Sequence, residues 1–139
     1  MVTAQHLATR VGVEVLERGG NAVDAAVAVG YALAVVYPAA GNLGGGGFMT
    51  LRMADGRETF IDYRETAPFA ARADLFSTEQ TASAASSRRG YLEACVPGSV
   101  AGHEYARERY GRLSRAAVLT PAISLAREGF VLRAGDVEM

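Results

Sequence analysis

Arg64 is the residue of this 139-residue chain whose type and setting best suit binding chemistry. It follows a short apolar stretch, Thr59 to Tyr63, and stands between Asp62 and Glu65. A guanidinium group forms two parallel, charge-assisted hydrogen bonds to a carboxylate. An arginine at the end of an apolar strand therefore predicts a receptor for a carboxylate. An Asp-x-Arg pair is also typical of a solvated or ion-paired surface, and this alternative stays open.

The other reactive side chains form no recognisable catalytic set by local spacing. Cys95 is the single cysteine, which excludes an intrachain disulfide and favours a small, buried apolar role over a nucleophilic one. His6 and His103 fall in predicted helices without an acidic or nucleophilic neighbour at a spacing that suits catalysis, so surface or partly buried positions are expected. Two histidines cannot build a zinc site by themselves. We predict no catalytic residue, metal ion or cofactor for this chain.

Two glycine-containing stretches lack the features of known catalytic and nucleotide-binding motifs. The run Gly44 to Gly47 does not satisfy G-x-G-x-x-G, and all 14 basic residues are arginine, which excludes a P-loop lysine. Ser99 is not flanked as the nucleophile elbow G-x-S-x-G requires. The glycine run nevertheless predicts a close approach of backbone or ligand, because it carries no side chains.

A predicted β-hairpin positions Arg64. Phe48 to Met53 and Thr59 to Tyr63 are rich in β-branched, aromatic and long apolar residues, and an Asp-Gly pair lies between them as a hairpin turn requires. Successive residues of a strand alternate between its two faces. Asp62 and Arg64 therefore share one face, while Ile61 and Tyr63 share the other.

Two helices are predicted before the hairpin. Thr3 caps the first, and Asn21 caps the second, with Asp24 suited to the positive end of the helix dipole. The second helix, Ala22 to Tyr37, is apolar on nearly every side, so it needs cover from more than one direction. Pro38 ends it below the ~20 residues of a membrane span, so we predict a buried helix.

The second half of the chain is predicted to contain a loop, a strand and two further helices. The loop, Thr66 to Gly90, is polar and rich in small residues, and includes a short helix near Ala71 to Phe76. Tyr91 to Val96 is predicted as a third strand. Ser99 and Ser114 are expected to cap the two later helices, and Pro121 to start or kink a segment within the second of them.

Composition limits the classes of function. Half of the residues are hydrophobic and 21% are charged, which predicts one folded domain over residues 1–139 rather than a disordered chain. The formal net charge of -1 gives no global attraction to nucleic acid or anionic lipid. No basic segment followed by an apolar core opens the chain, so no signal peptide is visible.

Five stretches together resemble one family in order and spacing. They are GGNAVDAAVAVGYAL, P-x-x-GNLGGGGF, IDYRETAP, VPGSVAG and PAISLAREGF. Over essentially its whole length, the chain is similar to the amino-terminal part of the large subunit of a gamma-glutamyltransferase (gamma-glutamyltranspeptidase). The resemblance implies an α+β fold, the four-layer αββα sandwich of the N-terminal nucleophile hydrolases, with only part of it present here.

The resemblance also implies an activity for the full-length protein. The family's precursor cleaves itself, and the new amino-terminal threonine of the small subunit attacks γ-glutamyl amides such as glutathione, passing the acyl group to water or an amino acid. This chain lacks the Thr-Thr-His-type motif that carries the threonine, so it is expected to be inactive alone and to have the small subunit as its partner. By motif, Arg64 matches the arginine that holds the substrate α-carboxylate.

Several alternatives stay open. A relative of the same fold that acts on glutaryl-cephalosporin or poly-γ-glutamate would also need this arginine, and a non-catalytic scaffold fragment is a third reading. The resemblance implies a periplasmic or extracellular location, and the sequence leaves a cytoplasmic one open.

Overall fold

The computed structural model describes residues 1–76 and 91–137. Helices lie at both ends of the chain, with one β-hairpin between them. The elements are α1 (His6–Glu17), α2 (Ala22–Val36), β1 (Phe48–Arg52), β2 (Glu58–Asp62), α3 (Ser99–Tyr110), α4 (Arg115–Glu128) and the short α5 (Ala134–Val137).

Helix α2 is the centre of the fold. Nine of its 15 residues are buried, and α1, α3 and α4 all pack against it. The predicted cap is confirmed, because Asn21 and Asp24 form a reciprocal capping box at its start. The helices supply most of the cover that this all-round apolar helix needs. No helix in the described residues is both long and apolar enough to span a membrane.

The carboxylate of Asp24 also joins α2 to the α3–α4 connection. It is fully buried and accepts hydrogen bonds from the backbone N–H groups of Arg112, at 3.0 Å, and Leu113, at 3.1 Å. Asn21 adds a third donor at 2.8 Å. Backbone donors therefore surround this buried charge and compensate for its lost hydration.

The first helix begins later than predicted. Its cap is Gln5 rather than Thr3, and the Gln5 side chain accepts from the N–H groups of Leu7, at 2.6 Å, and Ala8, at 3.4 Å. The Thr3 hydroxyl instead donates to the Gln5 carbonyl at 2.7 Å. The prediction of Thr3 was wrong because a glutamine side chain folded back over the first turn performs the same task.

The hairpin is confirmed. Strands β1 and β2 pair antiparallel, with Phe48 opposite Asp62 and Arg52 opposite Glu58. At the turn, Gly56 has a φ of 85°, a conformation that a residue with a side chain rarely adopts. One face of the hairpin is buried and the other exposed, as the alternation of residue types predicts.

Two elements predicted after the hairpin are wrong. Tyr91 to Val96 is not a strand: Tyr91–Glu93 forms a single 3₁₀ turn, and Val96 pairs with Thr66 in an isolated bridge. The predicted short helix over residues 71–76 does not form: residues 73–76 are a turn, in which the Leu75 N–H donates to the Arg72 carbonyl at 3.1 Å. The rest of the predicted loop, residues 77–90, lies outside the described residues.

The two later helices form as predicted, but the start of α3 and the interior of α4 differ from the prediction. Ser114 caps α4 as predicted, with the Ala117 N–H donating to its hydroxyl at 3.3 Å. Ser99 is the first residue of α3 rather than its cap, and its hydroxyl donates to Asn42 Oδ1 at 3.0 Å. Pro121 starts no new segment, because it lies inside the continuous helix α4.

Candidate functional site

Arg64 lies two residues beyond the end of β2, at the open end of the hairpin. Tyr63 continues the strand pairing by donating its N–H to the Gly47 carbonyl at 3.0 Å. The Arg64 N–H donates to Asp62 Oδ1 at 3.0 Å, which fixes the backbone on its other side. Both Asp62 and Arg64 are exposed, whereas Ile61 is buried and Tyr63 partly buried, as the strand alternation predicts.

The glycine run packs directly against the backbone that carries Arg64. A Cβ atom on Gly46 would lie 2.6 Å from the Tyr63 carbonyl oxygen and 2.7 Å from the Arg64 Cα, so only glycine fits. The Gly45 carbonyl accepts from the N–H groups of Gly98, at 2.8 Å, and Ser99, at 2.9 Å. The predicted close approach is therefore one of backbone to backbone, and it joins the end of β2 to the start of α3.

The Arg64 side chain lines an open cleft of about 510 Å³. Its other lining residues are Gly44, Glu65, Glu93, Ala94 and Cys95. Within the described residues no carboxylate lies within ion-pair distance of Arg64, although Asp62 and Glu65 are its close neighbours in sequence. The alternative in which Arg64 only completes a surface ion pair therefore finds no partner in this part of the chain.

Two residues opposite Arg64 were misjudged or missed at the sequence level. Cys95 is exposed, so the prediction of a buried apolar role is wrong. The expected strand does not form, so this segment has no buried strand face on which Cys95 could lie. Glu93, which the sequence did not single out, has one buried carboxylate oxygen that finds no hydrogen-bond partner within the described residues. No local pattern marks it, because the cleft forms between segments distant in sequence.

His103 lies between the rings of Tyr31 and Tyr63, the residue that precedes Arg64. It is 7% exposed, and its ring centroid lies 5.0 Å from that of Tyr31 and 5.6 Å from that of Tyr63. Burial lowers the pKa of His103 below its ordinary value, against a smaller opposing effect of Glu104. His103 is thus more deeply buried than expected, whereas His6 is partly buried as predicted. Neither histidine is paired with a nucleophile in the described residues.

A polar network holds α2 to α3 beside this stack. The Tyr31 hydroxyl donates to Glu104 Oε1 at 3.2 Å, and burial, followed by the Glu104 charge, raises the pKa of Tyr31 to about 12. Arg107 donates two hydrogen bonds to the other Glu104 oxygen, at 3.1 and 3.0 Å. The side chains of α3 that face α2 are therefore fixed by both packing and charge.

The described residues bring together no metal-binding group. Residues 1–76 and 91–137 contain no cluster of three or more His, Cys, Asp or Glu side chains placed to hold an ion. The cleft brings together one guanidinium group from Arg64, two carboxylates from Glu65 and Glu93, and the thiol of Cys95.

The family model for gamma-glutamyltranspeptidase matches residues 8–136 of this chain. The chain belongs to the gamma-glutamyltranspeptidase family. It is 61% identical over 140 residues to a glutathione hydrolase proenzyme from Pseudomonas sp. (strain A14), covering 100% of this chain and 24% of that protein. The resemblance seen in the sequence is confirmed, and the chain spans about a quarter of the length of this curated relative.

Solved structures give the fold of this gamma-glutamyltranspeptidase family member. The crystal structure of Helicobacter pylori gamma-glutamyltranspeptidase matches with a TM-score of 0.93 and 45% identity, over 99% of this chain and 40% of that one. A cephalosporin acylase from Bacillus halodurans matches at a TM-score of 0.81 and 27% identity, over 95% of this chain and 24% of that one. The chain therefore has part of the α+β fold of the N-terminal nucleophile hydrolases, as predicted.

Proposed function

We propose that this chain forms the carboxylate-binding part of an enzyme that cleaves γ-glutamyl amides such as glutathione. Arg64 holds the α-carboxylate of the γ-glutamyl group. The observation that carries the proposal is an arginine at the edge of an open cleft, on a rigidly held backbone, without an ion-pair partner in the described residues. The site thus has charge and space for a carboxylate ligand.

The remaining chemistry belongs to the partner subunit of the same precursor. Its amino-terminal threonine attacks the γ-carbonyl, the amine leaves with a proton, and the resulting ester passes its acyl group to water or an amino acid. Arg64 contributes by orienting the substrate, because a carboxylate held at two points leaves the γ-carbonyl little freedom to move. We propose a periplasmic or extracellular location for this enzyme, as its family resemblance implies.

Glutaryl-cephalosporin remains a second candidate substrate, because a glutaryl group also ends in a carboxylate. The cephalosporin acylase shares the fold but only 27% of aligned residues, against 61% for the glutathione hydrolase proenzyme. The higher identity favours a γ-glutamyl substrate. Poly-γ-glutamate, which offers one α-carboxylate per residue, would use Arg64 in the same way.

The proposal is tested in the full-length enzyme with a γ-glutamyl anilide and its decarboxylated analogue, a 4-aminobutanoyl anilide. Arg64→Ala is expected to lower kcat/KM on the first substrate by roughly 30- to 1000-fold, since a charge-assisted bidentate contact is lost. The second substrate should be affected far less. Arg57→Ala is the matched control, because Arg57 lies on the same hairpin and is 74% exposed in an ion pair with Asp55.

Equal losses on the two substrates would show that Arg64 does not bind the α-carboxylate. Self-cleavage of the precursor is expected to survive in Arg64→Ala, because it does not involve the substrate carboxylate. A variant that also failed to mature would point to a structural role for Arg64.

A further inference from the structure

The geometry points to Tyr63 and His103 as positioning residues that set the orientation of Arg64. This inference rests on the proposed function, because it concerns how the carboxylate-binding arginine is held. Neither residue lines the Arg64 cleft, so their influence would pass through the backbone between Tyr63 and Arg64.

The Tyr63 ring packs against two glycines and one histidine. Gly102 of α3 lies directly beneath the ring, where any Cβ would collide with Tyr63 side-chain atoms. A Cβ on Gly47 would meet Tyr63 Cε2 at 3.0 Å, so the ring is held closely from the hairpin side as well. The His103 ring lies beside it at a centroid distance of 5.6 Å. These contacts hold the ring between the hairpin and α3.

The Tyr63 backbone is held as closely as its ring. Its carbonyl oxygen lies against Gly98, where a Cβ would collide with it, and 2.6 Å from the place of a Cβ on Gly46. Its N–H donates to the Gly47 carbonyl at 3.0 Å. Because the ring and the backbone of Tyr63 are both fixed, the direction in which the chain enters Arg64 is fixed too.

His103 packs between the central helix α2 and the Tyr63 ring, so it links the position of the ring to that of the helix. A Cβ on Gly30 of α2 would lie 2.5 Å from His103 Cε1, so the imidazole packs against the α2 backbone itself. Tyr31 packs on it edge to face, at a centroid distance of 5.0 Å and an interplanar angle of 72°. His103 Nδ1 has no hydrogen-bond partner among the described residues, which indicates that the ring acts here through its shape.

Arg64 depends on this support because its side chain has no anchor of its own in the described residues. Its only hydrogen bond there is the one from its backbone N–H to Asp62. In the absence of substrate, the positions that the guanidinium can occupy are therefore determined by the Arg64 backbone, which Tyr63 holds in place. A small displacement of a substrate-positioning group costs much of its effect, even when the group itself is intact.

The test is a double-mutant cycle in the full-length, self-cleaved enzyme, with the γ-glutamyl anilide and the 4-aminobutanoyl anilide as substrates. Tyr63→Leu keeps apolar volume but removes the ring, and is expected to lower kcat/KM on the γ-glutamyl anilide about 10-fold, mainly through KM. Tyr63→Phe should behave as wild type, because the one hydrogen bond of the hydroxyl within the described residues is long, at 3.5 Å, and goes to the exposed Phe48 carbonyl. His103→Ala removes the support from behind and should act in the same direction as Tyr63→Leu.

The decisive comparison is made in the Arg64→Ala background. If Tyr63 and His103 act through Arg64, substituting either of them in the Arg64→Ala background lowers kcat/KM no further. The single variants at Tyr63 and His103 then keep wild-type kcat/KM on the 4-aminobutanoyl anilide. Losses that add to that of Arg64→Ala, or that are equal on both substrates, would overturn the inference while leaving the role of Arg64 intact. If Arg64→Ala itself fails to discriminate the substrates, the proposed function falls and the inference falls with it.

A matched control comes from the same helix. Tyr105→Ala removes an aromatic ring that is 46% exposed and stacks with Arg109 rather than His103. It is expected to leave the ratio of kcat/KM on the two substrates unchanged. His103→Ala keeps the test valid if Tyr63→Leu does not mature, because it leaves the hairpin residues themselves in place. A His103→Ala enzyme with the wild-type ratio would count against the inference.

Discussion

The Arg64 guanidinium is charged and has no ion-pair partner among residues 1–76 and 91–137, which supports the proposal that it binds a substrate carboxylate. Its exposure means that little hydration is lost until a ligand covers the cleft, and the carboxylates nearest in sequence do not compete for it. A ligand that closes the cleft lowers the local dielectric, so the two hydrogen bonds strengthen as the site fills. The planar geometry of the group is therefore as important as its charge.

This geometry leads to a prediction for Arg64→Lys. An ammonium group is a compact point charge and cannot reproduce two parallel hydrogen bonds, so the lysine variant should lose almost as much kcat/KM as Arg64→Ala. We expect a cost of about 2–4 kcal/mol in transition-state binding on the γ-glutamyl anilide. Steady-state kinetics of the two variants side by side provide the measurement. A lysine enzyme close to wild type would mean that charge alone is sufficient.

His103 leads to a prediction about pH. Its pKa is lowered by burial from the ordinary 6.5, so the unfolded chain binds a proton more readily than the folded one. The stability that comes from burying neutral His103 is fully present above the ordinary pKa and is lost as pH falls towards the lowered one. The thermal midpoint of the full-length enzyme should therefore fall less between pH 7.5 and pH 5.5 in His103→Gln than in wild type. Equal falls in the two proteins would contradict this.

At the scale of elements, local patterns predicted the hairpin and most of the helices. The hairpin strands alternate apolar and polar residues, and Asn21 and Ser114 are caps whose partners lie only two or three residues away. Residues 91–96 have the composition of a strand, but a strand also needs a neighbour along its length. Within the part of the chain that the structure describes, only Val96 has such a neighbour, Thr66, and no local signal reveals this shortage.

The cleft that Arg64 lines likewise combines residues that local sequence reveals with residues that it does not. Arg64 could be selected from sequence because its type and its place after a strand are local facts. Glu93 and the exposed Cys95 could not, because their position depends on how the segment after Tyr91 folds back towards the hairpin end. The stack of Tyr31, His103 and Tyr63 likewise joins three elements distant in sequence.

Asp24 gives a prediction about how the elements are held together. Its capping role was visible in the sequence, but its bonds to Arg112 and Leu113 span 88 and 89 residues. Asp24→Asn replaces one acceptor oxygen with a donor that faces backbone N–H groups, and should destabilise the full-length protein by about 3 kcal/mol. Denaturant unfolding measures the change, with Glu17→Gln at the exposed end of α1 as the control. A cost no larger than that of the control would show that the α3–α4 connection does not depend on this carboxylate.

At the scale of the whole molecule, the apolar surface of the described residues is unevenly covered. The helices bury α2, but the outer face of the hairpin exposes Phe48 by 54% and Phe60 by 59%, with their rings stacked at 5.7 Å. Val131, beyond α4, is exposed by 83%. Clustered apolar surface of this kind is typical of a face that another part of a protein covers.

The final prediction concerns residues 1–139 expressed alone. With the hairpin face uncovered, this chain should aggregate or require the proposed partner subunit to stay in solution, because burial of such surface is a main driving force of association. It should also release no p-nitroaniline from a γ-glutamyl p-nitroanilide above the buffer background, since a carboxylate receptor without a nucleophile cannot break the amide. Size-exclusion chromatography with light scattering, thermal unfolding and the anilide assay are the measurements. Phe60→Thr, which keeps the β-propensity of this exposed strand position, should reduce the aggregation without restoring activity. A monodisperse wild-type monomer with one cooperative unfolding transition would show that the helical core around α2 is sufficient by itself.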